Sequence, residues 1–146
     1  MAYLSPAYLQ QYDTTSLLNR AYFSEAKSAS LKATVFLSHS SEDNAHLERV
    51  KLFFKQHSAI AFADSDDPTL PKPPTVDTAE KLKTHIKEKS RFVIMVSPNS
   101  RGSNWIPWEL GIADGEKGVA PVAVLPITSD GNEEEWTKEE YYKLYP

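Results

Sequence analysis

Three short apolar runs constrain this chain more than anything else in it. Ala33-Thr34-Val35-Phe36-Leu37, Arg91-Phe92-Val93-Ile94-Met95-Val96 and Ala120-Pro121-Val122-Ala123-Val124-Leu125 do not alternate between apolar and polar positions. A strand wetted on one face alternates, whereas a strand covered on both faces stays apolar throughout. These runs therefore read as interior strands of a parallel sheet. A weaker run, Ile60-Ala61-Phe62-Ala63, supplies a fourth. Each run stops at polar or turn-forming residues: Ser38-His39-Ser40-Ser41, Ser97-Pro98-Asn99, Pro126 and Asp64.

Helical patterns fill the gaps. Leu47, Val50, Phe53 and Phe54 share one face of a helix over residues 44–57. Asp77 with Glu80 predicts a capping-box start for a second, with Ala79, Leu82 and Ile86 as its buried stripe and Lys81, Lys83, Lys87 and Lys89 around it. A third begins near Asn104, tolerates Pro107 in its first turn and frays at Gly115 and Gly118. Strands alternating with helices, joined by right-handed crossovers, give an α/β fold: a doubly wound parallel sheet of four to five strands with helices on both faces. No fifth strand is evident. Such sheets bind ligands beyond the carboxyl ends of their strands, so residues 38–43, 64–76 and 97–105 are where a site is expected.

At 146 residues the chain fits one ordinary domain. The expected division is an N-terminal helical extension, 1–31, and an α/β domain, 32–146. Leu4, Tyr8, Leu9, Tyr12, Leu17, Leu18 and Tyr22 recur at roughly helical spacing and predict one or two amphipathic helices broken near Asp13-Thr14-Thr15. Such stripes usually pack at home; the alternative is a docking surface for a second protomer. The tail from Asn132 to Pro146 turns from acidic to aromatic and reads as a short helix.

Composition removes several classes of function. There is no cysteine, which excludes disulfides, thiolate zinc sites and a cysteine nucleophile. A net charge of -4 argues against a nucleic-acid partner, because phosphate backbones call for a concentrated positive field. No run reaches transmembrane length and the first residues lack a signal-peptide pattern, so a cytoplasmic protein with no membrane partner is expected. There is no G-x-G-x-x-G, no P-loop and no G-x-S-x-G elbow. His39, His46, His57 and His85 form no H-E-x-x-H pair, and no metal site is expected; the last three read as surface helix residues. A receiver domain would share this strand order but would need acidic residues where Ser38-His39 and Ser97 stand. Ser38 and His39 are adjacent on a strand and point to opposite faces, which places them poorly as a nucleophile and base.

What remains is Ser97-Pro98-Asn99-Ser100-Arg101-Gly102-Ser103-Asn104-Trp105-Ile106-Pro107-Trp108-Glu109. Trp105 and Glu109, four apart, share one helix face. An aromatic plate beside a carboxylate suits a ribosyl ligand. The plainer reading puts Trp105 in the core and leaves Glu109 as a solvated first-turn acid favoured by the helix dipole.

Val35-Phe36-Leu37-Ser38-His39-Ser40-Ser41-Glu42-Asp43 resembles the first-strand box of the Toll/interleukin-receptor (TIR) domain family. Phe92-Val93-Ile94-Met95-Val96-Ser97-Pro98 resembles a later box, Trp105 to Glu109 fits the W-x-x-x-E pattern of NAD-consuming members, and Phe62-Ala63-Asp64 is similar to the entry into their "BB" loop. The resemblance spans residues 33–127 and is closest to the bacterial NAD-consuming type, as in the TIR subunits of Thoeris anti-phage systems. It implies a flavodoxin-like sheet. It also implies an NAD+ glycohydrolase or cyclase that breaks the nicotinamide–ribose bond, giving ADP-ribose or a cyclic ADP-ribose isomer. NAD+ is then substrate, no cofactor is needed, and the protein self-associates through TIR–TIR contacts and signals to a downstream effector through its nucleotide product. Glu109 carries the catalytic role by resemblance. Ser38, His39, Ser40, Asp64, Ser97 and Trp105 line the substrate site, and backbone N–H groups after Ser40 hold the pyrophosphate. Two other readings stay open: a non-catalytic TIR interaction module, and a nucleoside deoxyribosyltransferase-like enzyme that uses its glutamate as nucleophile.

Overall fold

The computed structural model describes residues 3–12, 33–128, 130–131 and 140–146. Four strands form one sheet: β1 (Ala33–Ser38), β2 (Ala59–Phe62), β3 (Arg91–Val96) and β4 (Val122–Pro126). Their order is β2-β1-β3-β4, every pair parallel. Helices α1 (Pro6–Leu9), α2 (Asn44–Gln56), α3 (Val76–Glu88) and α4 (Trp105–Lys117) accompany them. Thus the non-alternating runs are the strands, and each is flanked by helices as expected.

The two-residue period of β1 sorts its side chains. Val35 and Leu37 face α1 and α2, where Leu9, Tyr12, Leu47, Val50 and Leu52 are buried. Phe36 faces α3 and α4, against Leu82, Ile86, Ile106, Leu110 and Ala113. Its ring stacks on Phe92 of β3, with centroids 5.7 Å apart and planes 3° from parallel. Burying each ring contributes about 1.5–3 kcal/mol. Ser38 has the parity of Phe36, so it too turns toward α4.

Local chemistry fixes the helix ends. The start of α3 differs from expectation: Thr75, not Asp77, is its N-cap, and the Thr75 N–H donates to Thr78 Oγ1 at 2.9 Å. Asp77 lies within the first turn and pairs with Lys81 at 3.3 Å. Thr78 accordingly joins Leu82 and Ile86 on the buried stripe, while Ala79 is only half-buried. Helix α2 ends as Ser58 turns left-handed at φ 61°. Helix α4 runs through Gly115 and stops at Gly118, whose φ of 73° suits a residue without Cβ.

Beyond β4, where a fifth strand would lie, the two ends of the chain take up edge hydrogen bonds. Leu4 bridges Ile127 in parallel, with its N–H on the Pro126 carbonyl, and the Val124 N–H donates to the Pro146 carbonyl at 3.0 Å. Tyr142 and Tyr145, around the 3-10 turn Glu140–Leu144, are buried against α4's side of the sheet. Expected helix residues Leu17, Leu18 and Tyr22 and the acidic part of the tail, 132–139, lie outside the described residues. No helix among the described residues is long and apolar enough to cross a membrane, and none of their acidic or histidine side chains cluster as a metal site.

Candidate active site

Strand order reverses between β1 and β3, because β1 pairs with β2 on one side and β3 on the other. The crevice at such a switch point is where open parallel sheets hold ligands. Here the ends of β1 and β3 meet the first turn of α4. Pro107 lies within that turn, where N–H groups have no helical acceptor, and the Ile106 N–H is taken by Ser103 Oγ at 3.3 Å.

Glu109 is turned inward. It is only 4% exposed, and its carboxyl accepts a short hydrogen bond from Ser38 Oγ, itself buried. Burial lifts its pKa to about 8; the negative charge of Asp64 adds to the rise, and the Ser38 hydroxyl opposes it. Trp105, one turn earlier, is 38% exposed and meets Trp108 edge-on at 5.3 Å. The plainer reading of this pair is therefore reversed: the tryptophan shows its face and the acid is buried.

His39 sits just past β1 with its side chain 4% exposed. Its Nε2 lies 3.1 Å from Asn44 Oδ1 and its Nδ1 3.8 Å from Asp64 Oδ1. These residues wall a cavity of about 710 Å³ that also touches Trp105, Glu109, Leu70 and Thr78. A smaller lobe of about 380 Å³ shares His39, Asp64, Trp105 and Glu109 and reaches Ser40 and Asn99. The larger lobe is of the size usual for small-molecule sites.

Three expected lining residues play other parts; Ser38 borders neither lobe and instead holds Glu109. Ser97 does not border either lobe. Its hydroxyl donates to Asp43 Oδ2 at 2.7 Å and accepts from the Asn99 N–H at 3.0 Å, so it ties the turn after β3 to the turn after β1. Ser40 borders the smaller lobe, but its Oγ accepts from the Glu42 N–H and its carbonyl from the Asp43 N–H. Those two backbone donors are already used and do not form the anion cradle expected after Ser40.

Sequence reasoning missed Asp43, whose buried carboxylate also accepts from Asn99 Nδ2 at 2.8 Å. It missed His85 as well. Expected on the surface, His85 lies with Nε2 2.7 Å from Asp67 Oδ2 and thereby fastens the segment after β2 to α3. Asp67 also accepts from the hydroxyl and N–H of Thr69; the hydroxyl's bond first, then the histidine's and then that of the Thr69 N–H, hold its carboxyl far below the usual range. The Lys81 ammonium adds a bond to the Thr69 carbonyl at 2.9 Å. The proline-rich segment thus forms a fastened roof, with Pro68, Leu70, Pro71 and Pro74 over the larger lobe.

The model of the TIR domain family matches residues 35–144, from the middle of β1 to the closing turn. The chain belongs to the TIR domain family. A curated relative, the probable 3' cyclic ADP-D-ribose synthase ThsB' of Bacillus cereus (strain MSX-D12), is 31% identical over 114 residues, 77% of this chain. The chain spans 58% of that relative's length. Among solved structures, the TIR domain of the Toll-related receptor TRR-2 from Hydra magnipapillata matches at a TM-score of 0.49 and 16% identity, over 74% of this chain and 80% of its own. In this TIR domain the W-x-x-x-E pair stands at the mouth and floor of the cavity.

Proposed function

We propose that this TIR domain cleaves NAD+ between ribose and nicotinamide, yielding ADP-ribose or a cyclic ADP-ribose isomer for anti-phage signalling. The observation that carries this is Glu109, a buried carboxyl at the floor of a nucleotide-sized cavity, one turn from an exposed indole. The relative's name supports a cyclic product.

The chemistry suits one carboxylate. The C1'–N bond breaks with its electron pair going to the nicotinamide nitrogen, so the leaving group departs neutral and no acid is needed. An oxocarbenium-like ribose remains. Ionised Glu109 stabilises it by charge and by hydrogen bonds to ribose hydroxyls, strongly so in a site shielded from water. Water then attacks C1' and loses a proton to give ADP-ribose. Alternatively a hydroxyl of the same molecule attacks, loses its proton and closes a ring. Trp105 offers a face to a planar base, and His39, held between Asn44 and Asp64, shapes the ribose end. Self-association through TIR–TIR contacts accompanies activity, and a downstream effector reads the product.

Nicotinamide release from NAD+ by concentrated protein with a crowding agent tests this. Wild type releases nicotinamide; Glu109→Ala and Glu109→Gln, folded by circular dichroism, fall by roughly 10²–10³, the scale of losing one preorganised transition-state contact. Release that survives in both variants removes Glu109 from the chemistry. No release from assembled wild type favours the interaction module.

A further inference from the structure

The charges around the larger lobe are unevenly placed. Glu109 and Asp64 stand together with His39, and Asp67 lines the wall under the roof. Lys72 is the one lysine or arginine among the described residues lining this lobe, and the smaller lobe has none. Lys72 is exposed, and among the described residues its ammonium makes no ion pair or hydrogen bond. Its neighbours differ. Lys51 is held by Glu48 and Asp66, Lys81 by Asp77, and Lys83 by Glu80. Lys72 thus brings an ammonium without a carboxylate partner among the described residues to a lobe whose lining also carries Asp64, Asp67 and Glu109.

The segment that carries it is restrained. Pro71 and Pro73 flank Lys72 and Pro74 follows, so the backbone has few alternatives and few donors of its own. Upstream, the Asp67–His85 and Thr69–Lys81 bonds pin it to α3. Lys72, exposed and bordering the lobe, is thus carried by a pre-ordered loop, which lowers the entropy lost on binding.

A nicotinamide dinucleotide has matching polarity. Its nicotinamide ring is cationic and its middle carries two phosphate charges. With the cation toward Glu109 and Asp64, the phosphates must avoid those acids and find positive charge elsewhere along the lobe. We infer that Lys72 is the pyrophosphate-binding residue of this cavity and sets the direction in which the dinucleotide enters. This rests on the NAD+ reading above.

Calorimetric titration of the whole chain with ADP-ribose, which keeps the pyrophosphate and has no nicotinamide bond to break, tests it. Lys72→Ala weakens binding roughly 10-fold or more, as expected for a hydrogen bond to a charged group, and flattens its salt dependence. Lys72→Arg restores most of the loss because it keeps the charge. With NAD+ as substrate, Lys72→Ala raises KM by a similar factor and leaves kcat within about two-fold, the mark of uniform binding. Equal affinities of wild type and Lys72→Ala overturn the assignment, as does a loss that arginine fails to restore, or no binding by wild type. Nicotinamide release in the same preparations separates the two readings. Release with a KM indifferent to Lys72 sinks this inference alone. Lys72-dependent ADP-ribose binding without release sinks the hydrolase reading alone.

Discussion

The hydroxyl of Ser38, the last residue of β1, donates a hydrogen bond to the carboxyl of Glu109 on α4, 71 positions further along the chain. Strand parity directs Ser38 to that side of the sheet, and the first turns of α4 bring Glu109 over it. The bond favours the ionised acid, whereas burial favours the neutral one. Together they poise Glu109 near the pH at which it must work.

Replacing Ser38 with alanine removes the hydrogen bond that favours the charged form of Glu109, so its pKa rises above about 8. Nicotinamide release by Ser38→Ala at pH 7 should fall by roughly ten-fold or more, as for a lost bond to a charged group, and recover partly at higher pH. A pH–rate profile identical to that of wild type would show that the serine does not tune the acid.

In wild type, kcat/KM should rise with pH and level off past about 8, because it reports the free enzyme's carboxyl. The profile of kcat should level off at lower pH, since bound nicotinamide is cationic and favours the carboxylate. Initial rates from pH 5.5 to 9.5 check both, and a flat kcat/KM across pH 7–9 would contradict a buried acid that must ionise.

The same shift predicts a stability effect. Folded Glu109 keeps its proton up to about 8, while the unfolded chain releases it near the ordinary 4.5. Between those values the unfolded state is increasingly favoured, so stability falls as pH rises, by up to a few kcal/mol in all. Glu109→Gln has no proton to lose. Its Tm should exceed that of wild type at pH 8–9, and the gap should close below pH 5, by thermal melts across that range.

The strands were legible because burial on both faces leaves a plain apolar signature, and the region of the site followed from the rule that such sheets bind ligands beyond the carboxyl ends of their strands. Glu109 and Trp105 were singled out by their spacing together with the resemblance to the W-x-x-x-E pattern, but their exposures were not, because spacing cannot say which way a helix face is turned. That depended on Ser38 offering the acid a buried partner. Ser97 misled for a related reason. Its position at the end of β3 is where site residues occur, yet its partner Asp43 lies 54 residues away, and a contact across strands leaves no local pattern. His85 was opaque in the same way, since its role depends on Asp67, 18 residues earlier in an irregular segment.

The Asp67–His85 bond should govern how firmly the roof is held. In His85→Ala, residues 67–75 lose the Asp67 tie to α3, keep the Thr69–Lys81 bond, and should exchange amide hydrogens faster, while β1 and β3 stay protected. KM for NAD+ should rise more than kcat falls, because the loop positions substrate without touching the reacting bond. Because Asp67's carboxyl is held far below the usual range, its side of this tie persists through mildly acidic pH and fails only as pH drops through that depressed value. Unchanged exchange in the loop would show that the proline segment holds itself.

Ser97 and Asp43 make the opposite kind of prediction. Asp43 is buried and accepts from the Ser97 hydroxyl at 2.7 Å and from Asn99 Nδ2 at 2.8 Å. Ser97→Ala leaves the carboxylate with one partner fewer in a place water does not reach. The loss should be about 1–3 kcal/mol, read from urea unfolding at unchanged m. Because Ser97 borders neither lobe of the cavity, the pH at which nicotinamide release is half-maximal should not move. A displaced pH profile with intact stability would return Ser97 to the substrate site, whereas a stability loss alone makes it the clasp that holds the β1 and β3 turns together beneath Glu109.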